Sequence, residues 1–292
     1  MPENIVIALD AMGGDHAPDI VVKGIDIVRI QFPQARFLLF GDEARLEPLL
    51  KTYPGVSAVC DLRHTDEAIR SEDKPSQALR KGRKSSMRLA IDAVRDGEAG
   101  AVVSAGNTGA LMAMAKFSLR MMAGIDRPAI ASVLPSPRGE TVMLDLGADF
   151  ARAVLGRVPP RVALLNVGSE ELKGHDTIKA AGDRLRSIEN PPFEYQGFVE
   201  GDDITRGVVD VIVTDGFTGN GGVLLGLNGI CVKSHGGTDE TGFANAIGVA
   251  VEMVSDDLVE KMRDHFETFD MAQKMSNNSA GSATEAEKMA KA

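Results

Sequence analysis

The stretch that decides the fold lies near the start of the chain, in Ile5-Val-Ile-Ala-Leu-Asp-Ala-Met-Gly-Gly-Asp-His-Ala-Pro18. Residues 5–9 form an apolar run rich in β-branched side chains, which predicts a buried strand. The residues after it are rich in glycine and polar groups, which predicts a loop, and Pro18 suits the first turn of a helix. The segment therefore predicts the strand, loop and helix that open a βαβ unit.

The same alternation continues along the chain. Strands are predicted at residues 5–9, 36–40, 56–60, 101–104, 129–134, 141–145, 161–166, 194–199, 209–214 and 229–233. Helices are predicted at residues 18–30, 43–51, 75–95, 107–121, 176–188 and 239–269. This order predicts a doubly wound α/β protein, a three-layer α/β/α sandwich around a mostly parallel sheet.

Length and charge exclude several classes of protein. The 292 residues are enough for one large core, and we expect a single α/β/α domain over residues 1–275 with a disordered tail over 276–292. The net charge of −10 disfavours a general nucleic-acid binder, although a local basic patch stays open. Only two cysteines and no run near ~20 apolar residues predict a soluble, cytoplasmic protein.

Five Gly-rich or polar loops follow predicted strands. In doubly wound folds, ligands bind outside the carboxyl ends of the strands, where glycine lets backbone amides approach an anion and a following helix offers its positive end. One such loop alone is more often a tight turn, but five at one edge of a sheet predict a shared anion site. The loops are residues 10–18, 104–109, 145–149, 166–174 and 214–220.

Familiar catalytic fingerprints are missing from the sequence. It contains no G-x-x-x-x-G-K-[ST] motif, and no Gly-rich loop fits G-x-G-x-x-G with an acidic partner at the expected distance. The motifs G-x-S-x-G, H-E-x-x-H and C-x-x-C are also absent, which disfavours a serine hydrolase, a zincin and a thioredoxin-like protein.

Eight segments together resemble one family. The most specific are residues 7–18 and Val103-Ser-Ala-Gly-Asn-Thr-Gly-Ala-Leu-Met112; the others are residues 74–79, 124–129, 144–148, 160–168, 213–220 and 233–237. In this order they resemble the bacterial phosphate acyltransferase family, the acyl-acyl-carrier-protein:phosphate acyltransferases of fatty acid and phospholipid synthesis.

The resemblance implies a homodimeric fold of the isopropylmalate-dehydrogenase and phosphotransacetylase type. It implies transfer of a long-chain acyl group from acyl carrier protein to inorganic phosphate, with no organic cofactor and with contact at the inner membrane. Two alternatives stay open: a phosphotransacetylase-type enzyme that uses acyl-coenzyme A, and a non-catalytic sensor of phosphate or acyl carrier protein.

The sequence departs from the family pattern at two points. After Asp149 it skips an acidic loop and a helix, and after Asn220 it skips a long helical stretch. Each break is either a true deletion or a segment left out of this sequence. We favour the second interpretation because both breaks fall where surface elements are expected and the flanks match on both sides.

Acyl transfer to phosphate needs no covalent nucleophile, because phosphate is already anionic. The site must hold phosphate, stabilise the oxyanion and exclude water. With the resemblance, Lys173 is the candidate cation, Asn220 a candidate donor and His16 a candidate for proton transfer. An exposed loop lysine, a turn asparagine and a histidine bonded to backbone are the alternative interpretations.

A second group of residues is predicted to bind the substrate. For the asparagine and the aspartates, a turn or a helix cap is the alternative role, and no spaced ligand set compels a metal. The group comprises Asp10, Gly13, Gly14, Asp15, Ser104, Gly106, Asn107, Thr108, Gly109, Asp215 and His235.

A basic cluster and a Met-rich helix complete the predictions. The cluster, expected within one helix, would dock the acidic acyl carrier protein; a solvated face is the alternative. The helix at residues 111–122 would either line an acyl channel or pack in the core. The cluster is Arg80, Lys81, Arg83, Lys84 and Arg88.

Overall fold

The strands form one large sheet. The computed structural model describes residues 5–123, 125, 128–136, 139–144, 159–165, 176–188, 191, 193–200, 203, 206, 208–213 and 222–264. Its strands are β1 (Ile5–Asp10), β2 (Ala35–Gly41), β3 (Cys60–His64), β4 (Ala101–Ser104), β5 (Ala129–Ser136), β6 (Gly139–Leu144), β7 (Arg161–Leu165), β8 (Glu194–Val199), β9 (Val211–Val213), β10 (Gly222–Leu225) and β11 (Ile230–Lys233).

Helices alternate with these strands. They are α1 (Asp19–Gln31), α2 (Glu43–Thr52), α3 (Pro54–Ser57), α4 (Pro75–Lys81), α5 (Ser86–Arg95), α6 (Thr108–Leu119), α7 (Asp176–Arg186) and α8 (Glu240–Ser255). Within the described residues, no helix is both long and apolar enough to cross a bilayer.

The sheet is mostly parallel, as predicted. Its strand order is β3-β2-β1-β4-β11-β10-β5-β6-β9-β7-β8. Only the three central pairs β11–β10, β10–β5 and β5–β6 are antiparallel. Strands β1, β2, β3, β4 and β11 run in the same direction, so their carboxyl ends meet at one edge of the sheet.

Two apolar layers sandwich the sheet, because side chains of a strand alternate between its faces. Ile7 and Leu9 of β1 pack with α1 and α8 on one face. Ala8 packs on the other face with α4, α5 and α6. The alternation also places Asp10, the last residue of β1, on the side of α5 and α6. The three-layer α/β/α prediction is therefore confirmed.

The single helix predicted at residues 75–95 is wrong. Helix α4 ends at Gly82, where an added Cβ would lie 2.4 Å from Ile69 Cδ1. Helix α5 starts anew after Ser85, whose side chain caps it by accepting a hydrogen bond from the backbone N–H of Arg88. A close approach and an N-cap residue thus divide the helical pattern into two.

Other boundaries also differ from the predictions. The strand predicted at residues 56–60 is wrong, because Pro54 begins the short helix α3 and the strand starts only at Cys60. The central strand β10, a short apolar run that begins at a glycine, is absent from the predicted strands. Helix α8 ends at Ser255, and residues 258–264 are helical again.

Candidate active site

A buried carboxylate joins three elements at the carboxyl edge of the sheet. Asp10 is 1% exposed and accepts hydrogen bonds from Ser86 Oγ at 2.6 Å and from Ser104 Oγ at 2.7 Å. Burial raises the pKa of Asp10, and the two hydroxyl hydrogen bonds oppose that rise. This network fixes β1, the end of β4 and the start of α5 to one another.

The loops after β1 and β4 are in direct contact beside this carboxylate. A Cβ added at Gly13 would lie 2.3 Å from Asp10 Oδ2 and 2.8 Å from the backbone N of Gly106. The N–H of Gly106 donates to Ser104 Oγ at 3.0 Å. Glycine at position 13 is therefore required by the close approach of the two loops.

The loop after β11 meets the same two loops. The N–H of Asp15 donates to the carbonyl of Gly236 at 2.9 Å. Gly14 has φ +105°, and a Cβ there would lie 2.9 Å from Ala105 Cβ. Residues 10–18, 104–109 and 234–237 thus form one continuous rim, which we call the glycine rim. The 234–237 loop was not among the five predicted loops.

Asn107 is the N-cap of α6. Its Oδ1 accepts from the N–H of Ala110 at 3.0 Å, and its Nδ2 donates to the carbonyls of Ser71 and Asp73 at 2.8 and 2.9 Å. The side chain therefore caps the helix and clamps the 70–73 segment, which is the alternative role considered for it. Thr108 follows as the first residue of α6.

The start of α6 offers backbone N–H groups at the glycine rim. The first turn of a helix has unpaired N–H groups and carries the positive end of the helix dipole, so it favours an anion. Gly109 lies in this turn, where a Cβ would lie 2.7 Å from Pro75 Cγ. Helix α4 therefore approaches the rim closely.

Lys233 is a buried cation that the predictions missed. It is 5% exposed, ends β11 beside Ser104 of β4, and its Nζ donates to the carbonyls of Ala105 and Ser234. Burial lowers its pKa to about 8, and the charges of Asp10 and Asp15 oppose that change. The available signal in the sequence was the position of Lys233, which follows the apolar run 230–232 and opens the matched segment 233–237.

The two histidines lie at the exposed border of the rim. His235 Nδ1 accepts from the N–H of Gly237 at 3.2 Å, so this histidine is bonded to backbone. His16 is exposed beside Asp15, on a surface cleft that Asp239 and Glu240 also line. The structure thus places both histidines at the mouth of the site and away from the buried carboxylate.

Three predicted residues, Lys173, Asp215 and Asn220, lie outside the described residues. So do the loops 145–149, 166–174 and 214–220, the tail 276–292 and the two breaks of the family pattern. Their predictions stay as they were made. Among the residues that are described, no group of three or more His, Cys, Asp or Glu side chains is arranged to hold a metal ion.

Four of the five residues in the predicted basic cluster are exposed, as a docking surface requires. Arg80 and Lys81 end α4, Arg83 and Lys84 lie in the following turn, and all four are exposed. Arg88 is a correction, because it is 8% exposed and points inward.

The inward position of Arg88 has a clear partner. Its Nε donates to Asp92 Oδ1 at 3.0 Å, one helical turn along α5, and its guanidinium lies 5.2 Å from the ring centre of Phe117. Arg88 is therefore paired inside the helical layer and is removed from the docking prediction.

An exposed aromatic ring lies next to the basic cluster. Phe117 of α6 is 51% exposed, and Arg120 lies 5.5 Å from its ring centre. A surface pocket of about 500 Å³ opens beside the ring, lined by Leu79, Arg80, Arg83, Arg88, Asp92 and Phe117. Most of the Met-rich helix faces inward instead: Leu111, Met114 and Leu119 are core residues.

Sequence comparisons identify known proteins that this chain is similar to. A family described as "Fatty acid synthesis protein" matches residues 5–221. A phosphate acyltransferase of Rhodospirillum centenum is 49% identical and covers 90% of this chain and 93% of that protein. One of Paramagnetospirillum magneticum is 46% identical and covers 91% of this chain and 95% of that protein.

The relatives are longer within the matched region. The alignment with the P. magneticum protein runs over 335 positions, more than the 292 residues of this chain, so that relative has residues with no counterpart here. The breaks after Asp149 and Asn220 stay predictions.

A solved structure shares the fold. A crystal structure of a phosphotransacetylase from Streptococcus pyogenes superimposes with a TM-score of 0.60 at 14% identity, covering 88% of this chain and 95% of that chain. At this identity the likeness concerns the fold alone, and it confirms the predicted phosphotransacetylase-like architecture. By the match over residues 5–221 and the near-complete coverage of close relatives, the chain belongs to the fatty acid synthesis protein family, among its phosphate acyltransferases.

Proposed function

We propose that this protein is an enzyme that transfers an acyl group to inorganic phosphate. The observation that carries the proposal is the glycine rim, where three loops meet beside the start of α6 and the buried Lys233. Backbone N–H groups and a buried cation suit a small anion, and the relatives named phosphate acyltransferase support phosphate as that anion.

The reaction needs positioning more than activation. A phosphate oxygen forms a bond to the thioester carbonyl carbon while the C–S bond breaks, and the proton of hydrogen phosphate passes to the leaving thiolate. Holding the two reactants together and stabilising the oxyanion lower the barrier. The N–H groups of residues 104–109 are suited to both tasks.

By the family resemblance we assign direct roles to three further residues. Lys173 is the proposed cation for phosphate or the oxyanion, and Asn220 is the proposed donor to phosphate or the carbonyl. His16, exposed at the mouth of the site, is the proposed group for proton transfer. Substitution of Lys173 by alanine should abolish turnover; loss of phosphate affinity with unchanged turnover would remove Lys173 from the reacting centre.

We propose acyl carrier protein as the acyl donor, with a long-chain acyl group. The exposed cations Arg80, Lys81, Arg83 and Lys84 form a basic surface on a chain of net charge −10, which suits an acidic partner. The exposed ring of Phe117 beside them provides an apolar anchor of the kind found at the centre of protein interfaces.

Charge reversal tests this donor. The double variant Arg83→Glu/Lys84→Glu should raise KM for acyl carrier protein thioesters and leave KM for a small thioester analogue unchanged. Lys51→Glu, at an exposed lysine of α2, is the matched control. Equal effects of the double variant on both donors would refute docking at this surface.

A comparison of donors separates this proposal from its alternatives. We expect turnover with palmitoyl carrier protein and little with acetyl-coenzyme A. The reverse preference would indicate a phosphotransacetylase-type enzyme, and phosphate binding without thioester cleavage would indicate a sensor.

We further propose a cytoplasmic homodimer with peripheral contact at the inner membrane. The support for this arrangement is the family resemblance. Sedimentation equilibrium should give twice the chain mass, and flotation with anionic vesicles should recover the protein with the lipid. A monomer, or protein left at the bottom of the gradient, would contradict these two statements respectively.

A further inference from the structure

Lys233 carries a charge that the described residues do not pair. Its Nζ donates to two neutral backbone carbonyls, of Ala105 and Ser234, and makes no ion pair with any described carboxylate. A buried charge is costly unless an opposite charge or a full set of hydrogen bonds offsets that cost. The position of Lys233, at 5% exposure, therefore requires an explanation beyond packing.

The charges of Asp10 and Asp15 favour the protonated form of Lys233, but neither carboxylate forms an ion pair with it. Asp10 approaches from β1, but its two oxygens accept from Ser86 and Ser104, and burial pushes its pKa upward, which disfavours its charge. Asp15 is exposed in the loop after β1. The buried thiol of Cys231 on the same strand is a further titratable neighbour, and burial raises its pKa.

The carbonyls that Lys233 binds belong to two loops of the glycine rim. Ala105 lies in the 104–109 loop, and Ser234 begins the 234–237 loop. The backbone N–H of Ser234 also donates to the carbonyl of Ser104 at 2.9 Å. The ammonium thus ties both loops together, and Ala105 lies three residues before Thr108, the first residue of α6. A positive charge at this point attracts an anion bound by the backbone N–H groups at the start of α6.

We infer that Lys233 is the phosphate-positioning residue of this site: it joins the 104–109 and 234–237 loops, and its charge holds phosphate against the start of α6. The inference rests on the proposed function, which supplies phosphate as the anion. It adds a cation that acts from the sheet itself, separate from Lys173.

Replacement of Lys233 by methionine tests the inference, because methionine keeps much of the side-chain length and removes the charge. Titration calorimetry with inorganic phosphate should show at least about tenfold weaker binding, the scale expected when one nearby charge is lost. KM for phosphate should rise by a similar factor, whereas KM for the acyl donor should change less than about twofold. Lys51→Met, on the surface of α2, should leave all three values unchanged.

The pH dependence provides a readout that a purely structural role would not change. Burial lowers the pKa of Lys233 to about 8, so its charge is lost as pH rises from about 8 to about 10, a range in which inorganic phosphate is already mostly the dianion. Phosphate affinity of the wild-type protein should therefore fall between about pH 8 and 10, and that of Lys233→Met should stay flat. The wild-type titration decides the matter even if the variant does not fold, as circular dichroism would show.

Three results would overturn the inference. They are wild-type phosphate affinity in Lys233→Met, an equal rise of both KM values, and a flat wild-type profile between about pH 8 and 10. Failure of the proposed function has a different signature: phosphate binding would depend on Lys233, but the wild-type protein would release no thiol from any thioester in the presence of phosphate.

Discussion

Gly13→Ala tests the close approach of the loops in the glycine rim. The new Cβ would lie 2.3 Å from Asp10 Oδ2 and 2.8 Å from the backbone N of Gly106, whereas ordinary contact begins at 3.4 Å. At least one of these groups must move by about 1 Å. The Asp10 carboxylate can move only by weakening its hydrogen bond with Ser86 or Ser104, and the Gly106 amide only by moving the whole loop.

The expected loss of stability follows from these contacts. Overpacking costs about 1–3 kcal/mol, and a hydrogen bond to a charged group contributes about 1.5–3 kcal/mol. Gly13→Ala should therefore lower the free energy of unfolding by about 2.5–6 kcal/mol, measured by urea denaturation, and should weaken phosphate binding.

A neighbouring glycine provides the control. A Cβ at Gly236 would meet its nearest atom, the carbonyl oxygen of Ala105, at 3.6 Å, an ordinary contact. Gly236→Ala should therefore stay within about 1 kcal/mol of the wild type. If Gly13→Ala is as stable as Gly236→Ala and binds phosphate normally, the reasoning about the loop contact is refuted.

Three further substitutions test other parts of the site. Burial raises the pKa of Asp10 above 3.8, so the folded state holds this proton more tightly than the unfolded chain, and the carboxyl reduces stability as pH rises above that value. Asp10→Asn should therefore gain stability relative to the wild type between pH 4 and 7 in urea denaturation; a constant difference would contradict the assigned burial effect. Asn107→Asp keeps the cap of α6 but loses both amide hydrogen bonds to the 70–73 segment. We expect the free energy of unfolding to fall by about 1–2 kcal/mol and proteolysis within that segment to become faster. An unchanged cleavage rate would argue against the clamp. Arg88→Met removes a guanidinium whose side chain is 10% exposed and should cost about 1–2 kcal/mol in thermal unfolding, whereas Arg83→Met on the surface should cost almost nothing; equal costs would contradict the inward position of Arg88.

Much of the fold could be predicted from local patterns. The strand at Ala101–Ser104 was predicted with its observed bounds, because a short apolar run that ends in a Gly-rich loop is typical of a parallel strand. The single helix predicted at residues 75–95 was wrong, since the close approach of Gly82 to Ile69, a residue before the helix begins, is not visible in the helical spacing of the sequence. Strand β10 was missed because its central antiparallel position depends on pairing with β5 and β11.

The site was predicted less completely, for a related reason. Gly13, Asp10 and Ser104 were identified because their loops follow obvious strands, and the structure brings all three together. Lys233 was missed because an isolated lysine after an apolar run is indistinguishable in sequence from an exposed strand end. Arg88 was placed on the surface because its pairing with Asp92 depends on which face of α5 is covered.

Thiol release from palmitoyl carrier protein, with and without inorganic phosphate, tests the central claim most directly. The glycine rim is proposed to hold phosphate beside a thioester, so release should require phosphate, and ³¹P spectra should show one acyl phosphate formed for each thiol released. Thiol released at the same rate without phosphate, or none released by folded protein that binds phosphate, would contradict the account.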